Sequence, residues 1–309
     1  MVRKIVFGVL LAAFAGLLVF AWFKLTQTKK INYEYYEAIP YSSAVVVEFR
    51  DPAELFSRVQ NTNLIYDELR TAGLVGPLDQ TLEQLDTLLS SEPWFKQNLS
   101  QVPVLMAWIP GGAQKFSFLL SIRVPSTVDE DDFKEQISRQ FETYFSGTDK
   151  AYDSGTITLL KRKGSDETYA MSFHKGYFLF SPMSIVIEES IRQINSGVSL
   201  KSKPNFLQAY QTAGTSKSIN VYINHQVWSQ YISSLMDPSF SNRLASLQSW
   251  ASWTELDGIV KPNGLLFNGY SFAADSVQNF LSLFEGRRHG LSISLVCCPP
   301  IRRFFTTMD

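Results

Sequence analysis

The N-terminal segment Ile5–Phe23 constrains this chain more than any other feature. Its sequence, IVFGVLLAAFAGLLVFAWF, contains no charge, no proline and no polar side chain. As a helix it spans about 28 Å, which is close to the hydrocarbon thickness of a bilayer. Basic residues flank the run, with Arg3 and Lys4 before it and Lys24 after it. We therefore expect a single-pass anchor whose partner is the lipid bilayer.

A cleaved signal peptide is the alternative interpretation of this segment. Ala13-Phe14-Ala15 resembles a small-x-small cleavage site. It falls inside the apolar run, whereas a peptidase site normally follows the run, so we favour an uncleaved signal-anchor. Residues 1–4 then stay cytoplasmic, because a short basic N-terminus ahead of one span usually remains inside. Residues 24–36 form a juxtamembrane linker, and the domain that follows is extracytoplasmic, on the periplasmic side of a bacterial inner membrane.

Composition excludes one class of partner and favours a bacterial origin. The formal net charge is -1, so the chain lacks the basic footprint that nucleic-acid binding requires. The only two cysteines, Cys297 and Cys298, are adjacent and close to the end. An exported domain without disulfides is ordinary in bacteria and unusual for a secreted eukaryotic domain of this size.

Hydrophobic periodicity predicts an α+β domain over residues 37–286, in which antiparallel sheet is covered by helices. Alternating or β-branched runs predict strands at 44–49, 102–109, 116–124, 155–161, 169–174, 177–181, 219–223, 253–261 and 265–273. Apolar residues at helical spacing predict helices from Asp51, through 64–69, and at 78–89, 129–145, 183–195, 227–235, 240–247 and 276–284.

The order strand, two helices, hairpin, helix occurs twice along the chain. The first copy covers about 43–145 and the second about 218–284. The strand-to-helix step VVVEFRDPAELF matches INVYINHQVWSQY, and the hairpin WIPGGAQKFSFLLSI matches IVKPNGLLFNGYSFA. The similarity lies in the pattern more than in identity, and it predicts two related units that share one sheet.

No catalytic, cofactor-binding or metal-binding residue can be assigned from the sequence. The chain contains no G-x-S-x-G, H-E-x-x-H, P-loop or G-x-G-x-x-G motif. We interpret His174 as a hairpin-edge residue and His225 as a helix-capping residue. The acidic run Asp129–Asp132 lacks the spacing of a Ca²⁺ loop and suits a helix N-terminus.

Three other groups of residues were candidates for a surface site. We interpret Gly111-Gly112 as turn glycines and Lys161–Lys163 as a solvated hairpin tip. The tryptophans suit the core at least as well as they suit a carbohydrate or peptide groove, and they are Trp94, Trp108, Trp228, Trp250 and Trp253.

The segment 287–309 changes character abruptly, with paired arginines, paired cysteines and paired prolines. Read one base earlier, codons for its last residues permit a sequence that contains LPADTAFFY. That sequence has the shape of IPYSSAVVV at Ile39–Val47, which begins the first copy. We therefore expect a frameshift near Gly286. A genuine basic tail is the alternative.

Several segments together resemble a known group of proteins. They are the N-terminal anchor, IPYSSAVVVEFRDPAELF, VPVLMAWIPGGAQKFSFLLSI and YAMSFHKGYFLFSP. The chain resembles a family of membrane-anchored bacterial proteins seen in Bacteroidota, which is known mainly as a domain of unknown function. The resemblance supplies no catalytic residues. Our first hypothesis is a non-catalytic envelope module that binds a partner or organises the cell surface. An envelope hydrolase is the alternative.

Overall fold

The computed structural model describes residues 35–50, 93–99, 102–112, 115–215, 219–235, 248–261 and 264–273, with the single positions 52, 68, 71 and 280. The predicted anchor, the tail 287–309 and five predicted helices lie outside or almost wholly outside these residues. The helices are the one from Asp51 and those at 64–69, 78–89, 240–247 and 276–284. Among the described helices, none has the length and hydropathy that a membrane span needs.

The described strands form one antiparallel sheet of ten strands, in the order β10-β9-β8-β1-β2-β3-β7-β6-β5-β4. Their bounds are β1 (Val45–Phe49), β2 (Val104–Pro110), β3 (Phe116–Arg123), β4 (Phe145–Tyr152), β5 (Gly155–Arg162), β6 (Thr168–His174), β7 (Tyr177–Ser181), β8 (Ile219–Asn224), β9 (Trp253–Lys261) and β10 (Gly264–Phe272). The predicted α+β class and the predicted antiparallel sheet with covering helices are confirmed.

Five described helices accompany the sheet, and two 3₁₀ turns pack with them. The helices are α1 (Pro93–Leu99), α2 (Glu130–Tyr144), α3 (Ser184–Ser196), α4 (Pro204–Thr212) and α5 (His225–Leu235), and the 3₁₀ turns are Tyr35–Ala38 and Leu200–Ser202. Helix α2 begins where Asp129 accepts hydrogen bonds from the amides of Asp131 and Asp132. Helix α3 ends at Gly197, which adopts the left-handed conformation that glycine tolerates best.

The helices cover both faces of the sheet. We call the front face the one that bears Val46, Leu105 and Leu119; it packs against α3, α4 and the two 3₁₀ turns. The back face bears the alternate positions, such as Met106 and Leu120, and it shares an apolar cluster with residues of α1 and α2. Residues of α5 pack against the β1 and β8 part of the same back face.

The registers place two similar three-stranded arrangements side by side in the middle of the sheet. Val47 of β1 pairs with Val221 of β8, so the two first strands face each other. The hairpin β2–β3 continues outward from β1, and the hairpin β9–β10 continues outward from β8. Each hairpin is therefore joined to its strand of the central pair by antiparallel pairing.

Three of the described helices and strands were not anticipated from the sequence, namely α1, β4 and α4. For the residues of β4, the sequence predicted a helix that ends at Phe145 and then a connection without regular structure. Six consecutive residues of β4, from Ser146 to Ala151, are exposed, so this strand has no apolar alternation to reveal it. Helix α4 was also missed, although Pro204 occupies its first turn, where proline is favoured.

Candidate functional site

The front face contains a group of polar side chains below α4 that we call the buried polar cluster. It consists of Tyr36, Glu48, Arg50, Lys201, Tyr210, Asn220, Tyr222, Glu255 and Asp257. Two cross-strand rows supply most of it: Glu48 pairs with Asn220, which pairs with Asp257, and Tyr222 pairs with Glu255. Since paired residues of neighbouring strands point to the same face, these side chains converge.

Glu48 is the centre of the cluster on strand β1, and its side chain is 2% exposed. The Tyr36 hydroxyl donates a hydrogen bond to Glu48 Oε2 at 2.9 Å. Arg50 Nη2 donates to the same oxygen at 3.4 Å, and Arg50 Nε lies 3.4 Å from Glu48 Oε1. The buried carboxylate is therefore held by one cation and one hydroxyl, as a buried charge requires.

Two tyrosines extend this network towards α4. Tyr36 and Tyr222 are 1% and 0% exposed, and their ring centroids lie 6.0 Å apart in an edge-on arrangement. Burial, and secondly the charge of Glu48, raises the pKa of each phenol well above its ordinary value. Both hydroxyls therefore keep their protons throughout the physiological range.

Lys201 lies in the 3₁₀ turn before α4 and is 3% exposed. Its Nζ lies 3.6 Å from the ring centroid of Tyr210 and 4.7 Å from that of Tyr36, distances at which an ammonium is attracted to an aromatic face. Burial lowers the pKa of Lys201 to about 7, although Glu48 acts in the opposite direction. A substantial fraction of this amine is therefore neutral near pH 7.

The C-terminal end of α4 lies next to a pair of carboxyl groups, those of Glu255 and Asp257. Asp257 Oδ1 accepts from the amide of Gly214 at 2.8 Å and from Asn220 Nδ2 at 2.6 Å. Burial, and secondly Asp257, raises the pKa of Glu255 to about 8, and the Glu255 side chain is fully buried. Glu255 is therefore protonated at neutral pH, because burial disfavours its charged form and the half-buried Asp257 carboxylate repels a second negative charge.

The cluster contains an acid, Glu255, with a pKa of about 8 and a base, Lys201, with a pKa of about 7, and titration near neutral pH is typical of catalytic groups. However, Glu48, Lys201 and Glu255 are all closed off from solvent. The geometry shows a structural role directly. Lys201, which precedes α4, contacts the rings of Tyr36 and Tyr210, and the amide of Gly214, which follows α4, donates to Asp257. The cluster holds both ends of this short helix on the sheet.

The two histidine candidates lie far apart in the sheet and serve its packing. His174 lies at the end of β6, beside the hairpin turn as predicted, but it is buried, and its Nε2 lies 2.8 Å from Asn195 Oδ1. His225 begins α5, and its Nε2 lies 2.7 Å from Thr254 Oγ1. The side chain that caps α5 is that of Asn224, which accepts from the amide of Gln226.

The charged runs are structural in the way that the sequence predicted. Asp129 caps α2 as described above. Lys161 pairs with Asp166 at 3.0 Å and Arg162 pairs with Glu167 at 2.9 Å, all at the exposed tip of the β5–β6 hairpin. The described residues contain no group of three or more His, Cys, Asp or Glu suited to hold a metal ion.

The tryptophans do not line a common groove. Trp94 and Trp108 pack on the back face, whereas Trp253 is buried on the front face with its ring 5.0 Å from that of Phe206. Trp228 packs against Tyr231 within α5. Trp250 is 38% exposed and stacks on Phe280.

Sequence reasoning missed the buried polar cluster. One signal for it was present, because Glu48 interrupts the buried run AVVVEF and a charge in such a strand needs a partner. Its partners Tyr36 and Tyr222 lie 12 and 174 positions away in the sequence. Nothing in their local patterns marks them as neighbours of Glu48.

Comparison with known proteins gives little further guidance. No protein-family profile matches the chain, and no curated protein matches it. One solved structure, crystal form III of TP0453, is similar at a TM-score of 0.38 and 13% identity, covering 81% of this chain and 84% of that one. A likeness at this level carries no argument about function.

Proposed function

We propose that this chain is a membrane-anchored extracytoplasmic module that binds a partner or organises the cell envelope without catalysing a reaction. The observation that carries the proposal is the uncharged run Ile5–Phe23, which has the length of a bilayer span and basic residues on both flanks. The fold begins soon after this run, because Tyr36 is already part of the front-face core. A linker of this length keeps the domain close to the bilayer.

The state of the ionisable groups supports binding over catalysis. Lys201 and Glu255, whose pKa values are shifted towards neutrality, lie under α4 with almost no exposed surface. A substrate has to reach a catalytic group within hydrogen-bond distance, and these groups face other protein atoms. Structural ion-pair networks shift pKa values in the same way as active sites do.

The arrangement of the strands supports the predicted internal duplication. Two hairpins flank the central pair β1–β8 through equivalent antiparallel steps. We infer that the units at about 43–145 and 218–284 descend from one ancestral unit.

An envelope hydrolase is the second candidate, and one observation favours it. Lys201 and Glu255 provide a base and an acid near neutrality, and both lie next to α4. If α4 moved away from the sheet, these groups would be accessible to a substrate. A purified chain that hydrolyses ester, peptide or glycosidic substrates, and loses this activity in Lys201→Met or Glu255→Gln, would replace the binding proposal.

Fractionation of cells that express the full chain tests the proposed location. We expect the uncleaved chain in the membrane fraction, and protease added to spheroplasts should degrade the domain. A matched variant with Leu11→Arg and Phe14→Arg should lose membrane retention, because a charge at the centre of a span costs about 2.5–3.5 kcal/mol on insertion scales. Soluble uncleaved chain, or a domain protected in intact spheroplasts, would overturn the proposal.

A further inference from the structure

The two edges of the sheet differ in a way that points to an interface. Strand β4 forms one edge and carries the exposed charges Asp149 and Lys150. Asp149 accepts from Thr158, and Lys150 pairs with Glu188 on α3 at 3.0 Å. Charged side chains on an edge strand prevent it from pairing with another chain. The β4 edge is therefore protected.

Strand β10 forms the other edge and lacks this protection. Its sequence, GLLFNGYSF, contains no Asp, Glu, Lys, Arg, His or Pro. It pairs with β9 along its whole length without a bulge. The residues from Asn268 to Ser271 are exposed, and Tyr270 is 63% exposed. Among the described residues no strand pairs with the outer edge of β10, and an uncovered edge can pair with a strand of another chain.

The internal symmetry of the sheet identifies the part of β10 that corresponds to an occupied edge. Outward from the central pair β1–β8, Val47 of β1 pairs with Met106 of β2, and Met106 pairs with Leu120 of β3. The same steps on the other side lead through the residues Val221, Leu256 and Gly269.

In the first arrangement a further strand is present. Leu120 pairs with Phe180, and β7 covers β3 from Leu120 to Arg123. The equivalent stretch of β10 is Gly269–Phe272, which includes the exposed positions Tyr270 and Ser271. The outer edge of the third strand thus binds an antiparallel strand in one half of the sheet, and the same edge is uncovered among the described residues of the other half.

We propose that the β10 edge at Gly269–Phe272 pairs antiparallel with the same edge of a second copy of this chain. Antiparallel pairing of a strand with its own copy closes under a two-fold axis, so the assembly stops at a dimer. The absence of charge on β10 favours a second copy, because self-pairing then brings no like charges together.

Residue size also suits this occupant. With the axis at Tyr270, each Gly269 lies opposite a Ser271, and the two tyrosines face each other. Neither small residue places a bulky side chain between the two copies, and the facing aromatic rings form a stabilising cross-strand pair. The inference rests on the proposed function in one respect: anchors in one membrane confine the copies and raise their effective concentration.

Site-directed cross-linking of the full chain tests this interface. In a background of Cys297→Ser and Cys298→Ser, Tyr270→Cys should give a disulfide-linked dimer on mild oxidation of membranes. Ser271→Cys, whose counterpart in the second copy lies one diagonal step away and beyond direct disulfide reach, should give a dimer with a short bis-maleimide cross-linker. Thr148→Cys, at an exposed position of the protected β4 edge, is the matched control and should give at least tenfold less dimer. Adding Tyr270→Lys to the Ser271→Cys chain should reduce the dimer several-fold, because it places two like charges opposite each other.

Each contrary outcome is distinct. Equal dimer yields at positions 148, 270 and 271 would overturn the interface, as would cross-links only to a different protein. A fast-migrating monomer that forms only when Cys297 and Cys298 are present would show that the chain's own tail covers β10. If the chain fractionates as soluble, the anchor proposal fails, whereas the dimer yield in that fraction still decides the interface.

Discussion

The two faces of the sheet bury different kinds of side chain. The back face packs apolar side chains against α1 and α2, with Phe133 in ring contact with Trp94, Phe173 and Phe178. The front face packs apolar residues together with the buried polar cluster beneath α4. We therefore expect back-face stability to depend on volume and front-face stability to depend on charge state as well.

The largest expected effect comes from opening a cavity in the back face. Phe133→Ala should lower the free energy of unfolding by about 3–5 kcal/mol, because Phe133 is fully buried and its ring has aromatic neighbours on several sides. Tyr144→Ala is the matched control on the same helix. Tyr144 is 60% exposed, so its replacement should cost less than about 0.5 kcal/mol. Denaturant unfolding followed by circular dichroism measures both.

Removing the central charge of the front face should have the next largest effect. Glu48→Gln leaves Arg50 without its carboxylate and should cost about 3 kcal/mol. Glu135→Gln is the control, since it removes an exposed carboxylate that pairs with Arg139 at 2.6 Å. That pair should contribute less than about 1 kcal/mol. Equal costs in the two variants would show that the front-face network does not stabilise the fold.

The pH dependence of stability should distinguish the two faces, because Lys201 and Glu255, whose pKa values are shifted towards neutrality, both lie on the front face. Glu255 has its pKa raised from 4.5 to about 8, so between these values only the folded chain retains the proton. Its contribution to stability is therefore lost as pH rises through that window, by up to about 1.4 kcal/mol per pH unit. Glu255→Gln should remove this decline in unfolding experiments from pH 5 to 8.

Lys201 should produce the opposite slope at higher pH. Its pKa is lowered from 10.5 to about 7, so between these values only the unfolded chain retains the proton. Stability should therefore rise with pH in that window, again by up to about 1.4 kcal/mol per unit. Lys201→Met should flatten the rise from pH 8 to 10. Phe133→Ala, on the back face, should lower the free energy of unfolding at every pH without changing its slope in either pH window.

The smallest expected effect tests one hydrogen bond in the cluster. Tyr36→Phe removes the hydroxyl that donates to Glu48 at 2.9 Å and should cost about 1–2 kcal/mol, since the acceptor is charged and buried. Tyr144→Phe, at an exposed position, should be neutral. A neutral Tyr36→Phe would indicate that water replaces the hydroxyl at Glu48.

Local patterns were sufficient to predict most of the described strands. The bounds 177–181 and 253–261 agree with β7 and β9 as observed, and Gly197 ends α3 as its position predicted. Strand β7 is buried along its whole length and contains an uninterrupted apolar run, and α3 ends at a definite stop signal, so both can be recognised in the sequence. Strand β4 has neither, because it is an exposed edge that depends on pairing with β5.

The sequence by itself determined the apolar span at Ile5–Phe23, the α+β class and the positions of the central strands, because these follow from composition and from short-range periodicity. Only the tertiary structure decided the strand order, the contrast between the two edges and the buried polar cluster. The cluster joins Tyr36, Glu48, Lys201 and Glu255 through three regions of the chain. Its pKa shifts arise from burial and from neighbours that are distant in sequence, so no local pattern records them.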